Sequence, residues 1–158
     1  MTDARFEDGG EAPLYLGALD GDDLGVLAAL VQDAVFPVTE MQFYPSEHRF
    51  GILLNRFRWE DLPAAEQRGR AVERVQAVLV VDNVLHVTSQ GVDRDDKDVI
   101  LSVLDVSFAP GEDAAGHVEL TLAGDGAIRL EVEALEVTLK DVTRPYRAPS
   151  GHTPEHEG

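Results

Sequence analysis

The 158-residue chain contains no cysteine, a single tryptophan, and only 13 basic residues against 30 acidic ones. Without cysteine there is no disulfide, no thiolate nucleophile and no cysteine-ligated zinc. No apolar run approaches the roughly 18 residues that a membrane-spanning helix needs. Met1 to Ala12 carry four acids, one arginine and no apolar stretch, so they do not read as a signal peptide. The shortage of base leaves a net charge of −17. A field of that sign repels phosphate backbones and anionic lipid, which argues against both nucleic acid and membrane as partners. The expected setting is the cytoplasm.

Motifs with a chemical mechanism are missing too. There is no Gly-x-Ser-x-Gly elbow, no P-loop and no His-Glu-x-x-His. Gly124-Asp125-Gly126 has Arg129 where a dinucleotide fingerprint needs its last glycine. Asp93-Arg94-Asp95-Asp96-Lys97-Asp98 opens like a calcium loop, but Asp98 stands where the loop glycine belongs and Leu104 where the bidentate glutamate belongs. His152 and His156 are four apart with Pro154 between them. No catalytic residue, metal or cofactor is therefore assigned.

What is present describes a fold. Apolar residues make up 44% of the chain, enough at this length for one self-sufficient core. Residues 1–13 read as a flexible acidic lead, 14–142 as a single globular domain, and 143–158, rich in Pro, Gly, Ser and His, as a disordered tail. Leu14–Leu19 is a short strand. Asp20, Asp22 and Asp23 then cap a helix over Asp22–Gln32, whose Leu24, Leu27, Ala28 and Val31 share one face. Pro37 stops it.

The rest alternates like strands. Met41–Tyr44 and Arg49–Phe57 flank Pro45-Ser46-Glu47-His48, and a four-residue loop pairs Tyr44 with Arg49, Phe43 with Phe50 and Met41 with Ile52. That pairing lays Arg49 beside the Tyr44 ring. Leu62–Arg70 is a polar loop with room for a helical turn. After Val75, Ala77, Leu79 and Val81, the parity breaks at Asp82-Asn83, which needs a hairpin turn or a bulge. Ile100, Leu104, Val106 and Phe108 mark the next strand. The last hairpin is read with loop Gly124-Asp125-Gly126, Gly126 left-handed, and Leu122 opposite Ile128. Glu133–Val142 fits a strand or a helix, with strand favoured by β propensity. The fold class is α+β, mostly β: a curved antiparallel sheet or open barrel of about eight strands with one N-terminal helix.

Phe50–Trp59 is the unusual stretch. Six of the 13 bases fall in residues 49–74, and two of them, Arg56 and Arg58, end an apolar strand. Strict alternation sends both arginines to the face of Phe50, Ile52 and Leu54. They either pair with acids such as Glu60 and Asp61 at the sheet edge, or form a cationic mouth for a carboxylate, a phosphate or an acidic segment. The candidate ligand- or partner-binding residues are Arg56, Arg58, Trp59, Asn55, His86 and Arg94. Tyr44, Phe57 and Trp59 are candidate aromatic anchors.

Three groups of residues carry a family resemblance. They are Leu53, Asn55, Arg56, Phe57 and Trp59; Ser89, Gly91, Asp93 and Arg94; and Ala123, Gly124, Gly126, Ile128, Arg129, Leu130, Val132 and Glu133. With these the chain, from about Leu14 to Val142, resembles a small bacterial family known only as a domain of unknown function, family twenty-nine forty-eight. The resemblance implies a bacterial cytoplasmic protein and transfers no catalytic role. The leading functional expectation is a non-catalytic binding or protein-interaction module. The alternative is a small anionic-ligand-binding protein or minor enzyme with an arginine-lined pocket. The partner is then an unknown protein or a small anionic ligand, with homo-oligomerisation through a sheet edge as a third reading.

Overall fold

The computed structural model describes residues 13–69 and 71–147. The fold is mostly β: among the described residues eleven antiparallel strands form one sheet that does not close into a barrel. In chain order the elements are β1 (Tyr15–Ala18), α1 (Gly21–Val31), β2 (Val35–Pro37), β3 (Met41–Tyr44), β4 (Arg49–Phe57), α2 (Leu62–Gln67), β5 (Glu73–Val81), β6 (Val84–Gln90), β7 (Ile100–Pro110), β8 (Gly116–Leu122), β9 (Gly126–Val132), β10 (Val137–Asp141) and β11 (Tyr146–Arg147). The sheet order is β1-β10-β5-β4-β2-β7-β8-β9-β6, with β3 added to β4 and β11 to β5. The count exceeds the expected eight because β2 and β11 are too short to show a period in sequence and β10 falls in the stretch that fits a strand or a helix.

The expected helix forms as α1. Asp20 caps it, its side chain accepting from the Asp23 N–H at 2.8 Å, with Asp22 and Asp23 in the first turn. Leu24, Leu27, Ala28 and Val31 are buried. The helix lies against β7 and β1, closing one face of the curved sheet. Its stripe joins the inward rows of β4, β5, β8, β9 and β10 in one core. A second, small cluster of Phe57, Ala65 and Val72, flanked by Trp59 and Leu62, holds α2 against the other face; α2 is the helical turn expected in that loop.

Hairpin β3–β4 has the expected register, Tyr44 opposite Arg49, Phe43 opposite Phe50 and Met41 opposite Ile52. The Arg49 guanidinium, however, goes to Asp82 at 2.8 Å, not to the Tyr44 ring. Hairpin β8–β9 slips by two residues from expectation. Leu120 faces Ile128 and Leu122 faces Gly126, the loop is 123–125, and Gly124 and Asp125 take positive φ, not Gly126. A two-residue slip keeps every apolar side chain on its face, so alternation cannot choose between the registers. Charge does: the observed register sets Glu119 opposite Arg129, with an ion pair of 3.2 Å, where the alternative sets it opposite Glu131.

Three further expectations are corrected. Asp82-Asn83 is neither a hairpin nor a bulge, since β5 pairs with β4 and β10 while β6 pairs with β9. It is a corner, with Asn83 at φ 61°. Strand β7 carries an irregularity between Val103 and Asp105 that turns Leu104 outward. Leu101, Val103 and Val106 therefore form its inner row, and Ile100 is left exposed. Thr143–Arg147, read as tail, are structured: Thr143 Oγ1 accepts from the Gln76 N–H and β11 pairs with β5. Glu133–Val142 resolves as one more strand, β10. The acidic lead, except Pro13, and residues 148–158 lie outside the described residues.

One glycine is required by close approach. A Cβ on Gly116 would stand 2.7 Å from the Phe108 ring and closer still to the Ala109 carbonyl oxygen across the β7–β8 ladder. Gly116→Ala is expected to lower stability by about 1–3 kcal/mol, read as a fall in urea midpoint at unchanged slope.

Candidate functional site

Of the two arginines, Arg56 lies on β4 and sits where alternation sends it, and Arg58 lies just past the end of the strand. Arg56 continues the inward row of Phe50, Ile52 and Leu54, and it is 0% exposed. Burial alone would push its pKa down; the bonds to Glu60 and Asp141 outweigh that and raise it. Nε and Nη2 bind the two oxygens of Asp141, each at 3.0 Å. Nη1 and Nη2 bind the two oxygens of Glu60 at 2.9 and 2.7 Å, and Nη1 also donates to the Phe57 carbonyl at 3.0 Å. A guanidinium has five N–H groups, and these five bonds use all of them. Asp141 is itself buried and its Oδ2 also accepts from the Leu14 N–H. Burial pushes the Glu60 carboxyl upward, and Arg56 overrides it to hold the group below its ordinary range.

Arg58 is buried as well and donates from Nη1 to Glu73 at 2.9 Å and to Asp61 at 3.4 Å. The arginines pair with the acids foreseen for them, Glu60 and Asp61, but as an interior lock and not at an exposed edge. Arg56 has no donor left for an outside anion. Trp59 is also structural: its Nε1–H donates to the Gln32 carbonyl at 2.9 Å, at the C-cap of α1, and its ring lies 5.4 Å from that of Phe57. The Asn55 Oδ1 accepts from the Tyr146 hydroxyl. His86 is exposed on β6 opposite Glu131, on the face away from Val87. Tyr44 is partly exposed.

Arg94 has a different surrounding. It borders a cleft of 290 Å³, near the lower limit for small-molecule pockets, lined by Val38, Met41, Gln42, Phe43, Phe50, Val87, Ser89 and Ile128. The cleft lies between two strands that carry ladder partners on one side only among the described residues. Strand β3, paired with β4, gives Met41, Gln42 and Phe43; β6, paired with β9, gives Val87 and Ser89. It is the gap left where the sheet fails to close. Phe50 and Ile128 belong to the main core, so the cleft opens onto that core. Gln42, Ser89 and Arg94 supply its polar side, and Arg94 is exposed with no ion-pair partner among the described residues. Phe50 and Arg56 are six residues apart on β4, about 20 Å at strand rise, so Arg94 does not share a site with the buried arginines.

Of the six candidate residues, then, the cleft contains only Arg94. Its other lining residues share no signal in sequence, because they come from separate segments that only the open topology brings together. The Asp93–Asp98 loop turns Asp93 and Asp96 onto its own backbone, each Oδ1 accepting from an N–H two residues on, at 3.0 and 3.1 Å. No group of three or more potential metal ligands occurs among the described residues, and no described helix is long and apolar enough to cross a membrane.

Fold and site together define an open, one-sheet β domain with a capping helix, an internal arginine lock and an apolar cleft at the unclosed seam. The family model for a protein of unknown function, DUF2948, matches residues 14–156, and the chain belongs to that family. No curated protein and no solved structure matches it.

Proposed function

We propose that the domain is a non-catalytic binding module whose site is the cleft between β3 and β6. One observation carries this: the cleft joins side chains of the main core, Phe50 and Ile128, to a cation without an ion pair among the described residues, Arg94. The lining supports binding over acid–base chemistry. Its one charged group is Arg94, and no carboxylate or imidazole lines it to serve as a base. The family resemblance supports a bacterial, cytoplasmic setting as part of the same proposal.

A fragment screen by NMR on the labelled full chain tests it. Hits are expected to move the Phe50, Val87, Ser89 and Ile128 resonances together. Hits that cluster instead on the opposite end of β4, around Arg56 and Trp59, would sink the cleft as the site.

A further inference from the structure

Resting on the cleft reading above, we infer that the ligand class is a small amphipathic monocarboxylate, its apolar body in the gap between β3 and β6 and its carboxylate on Arg94. Three features select this class.

The first is size. Taking about 30 Å³ of liquid volume per non-hydrogen atom, a cleft of 290 Å³ holds about ten such atoms. A short aliphatic or aromatic acid matches that volume, and a peptide strand or a long lipid chain exceeds it.

The second is polarity. Val38, Met41, Phe43, Phe50, Val87 and Ile128 make the body of the cleft apolar, so an ion with no apolar part, such as free phosphate, leaves most of the lining without a partner. The polar groups are few: Gln42, Ser89 and Arg94. An arginine fork matches a carboxylate with two parallel N–H···O bonds, and a serine hydroxyl or glutamine amide supplies a further donor. Arg94 is available for this, in contrast to Arg56, whose five donors are all taken.

The third is charge. Asp93, Asp95, Asp96 and Asp98 surround Arg94 and Lys97 in sequence, within a chain of net charge −17. Each added negative charge on a ligand works against that field. One carboxylate can be met by one guanidinium; a second, or a phosphate dianion, has no cation left among the lining residues.

Octanoate, with ten non-hydrogen atoms, and 1-octanol, which keeps the chain and lacks the charge, are the probes. Titrations followed by NMR on the full chain give both affinities, and nuclear Overhauser contacts to the Val87 and Ile128 methyl groups give the location. Octanoate is expected to bind about tenfold more tightly than octanol, and Arg94→Gln is expected to remove that preference, chiefly by weakening octanoate. The side chain of Arg94 is exposed and has no ion pair among the described residues, so this variant should fold as the parent does. Equal affinities for the two probes in the parent chain, with contacts to both methyl groups, would overturn the carboxylate class and leave the cleft as the site. No contact from either probe to those methyl groups would overturn the cleft and the ligand class together.

Discussion

Replacing Arg56 by alanine is expected to lower the unfolding free energy by about 3–5 kcal/mol, because the substitution leaves a buried carboxylate without its counter-charge. That carboxylate is Asp141, held by both of its oxygens to a guanidinium with no solvent exposure. Such a loss is a large share of the roughly 5–15 kcal/mol a domain commands, so unfolding midpoints in urea should fall steeply. The charge origin of the effect can be separated from lost packing. Arg56→Met combined with Asp141→Asn removes both charges, and the amide oxygen of the new side chain can still accept from the Leu14 N–H that Asp141 now serves. The double variant should therefore be more stable than Arg56→Met alone, and the opposite order would refute the ion-pair account.

Acid titration gives a second handle on the same lock. Arg56 holds the folded-state pKa of Glu60 below the ordinary 4.5. A depressed carboxylate contributes stability that is complete above its unfolded value and is lost as pH falls through the folded value. The parent chain should therefore lose stability on acidification below about pH 4.5, and a chain without Arg56 should lose less over the same range.

Trp59→Ala is expected to cost about 3 kcal/mol, at the low end for removal of a large aromatic because the ring is only half-buried. Two contributions add. The ring packs against Phe57, Ala65 and Val72 under α2, and its N–H ties the Gln32 carbonyl at the C-cap of α1 to the end of β4. Trp59→Phe keeps most of the packing and loses only the hydrogen bond, so about 1 kcal/mol is expected for it. Equal losses for the two variants would show that the tie to Gln32, not the packing, holds this corner. If Trp59 were instead an interface anchor, both variants would keep parental stability.

How far these roles can be read from residues alone depends on sequence distance. Hairpin β3–β4 is legible to the single residue, because apolar positions alternate on both sides of Pro45 and a four-residue loop leaves one good pairing. In β8–β9 the faces are legible and the register is not, since a slip of two preserves the faces. The candidate acids beside Arg56 and Arg58 are legible where they are neighbours, Glu60 and Asp61. The partner that makes Arg56 an interior residue, Asp141, is 85 positions away on a strand that fits a helix equally well. The cleft is least legible of all. It exists because β3 and β6 each lack a second neighbour among the described residues, which is a property of the strand order and not of any segment.

The same carboxylate that closes the lock spans almost the whole described chain. Leu14 and Asp141 are 127 positions apart, and β1 has no strand partner except β10 among the described residues. On a ribosome adding about 5–20 residues each second, the amino-terminal strand waits roughly 6–25 s for its mate to be made. The leucines of α1 find their main cover earlier, because the helix packs chiefly on β7. Synthesis of β10, more than local strand pairing, sets the earliest moment at which β1 can be paired.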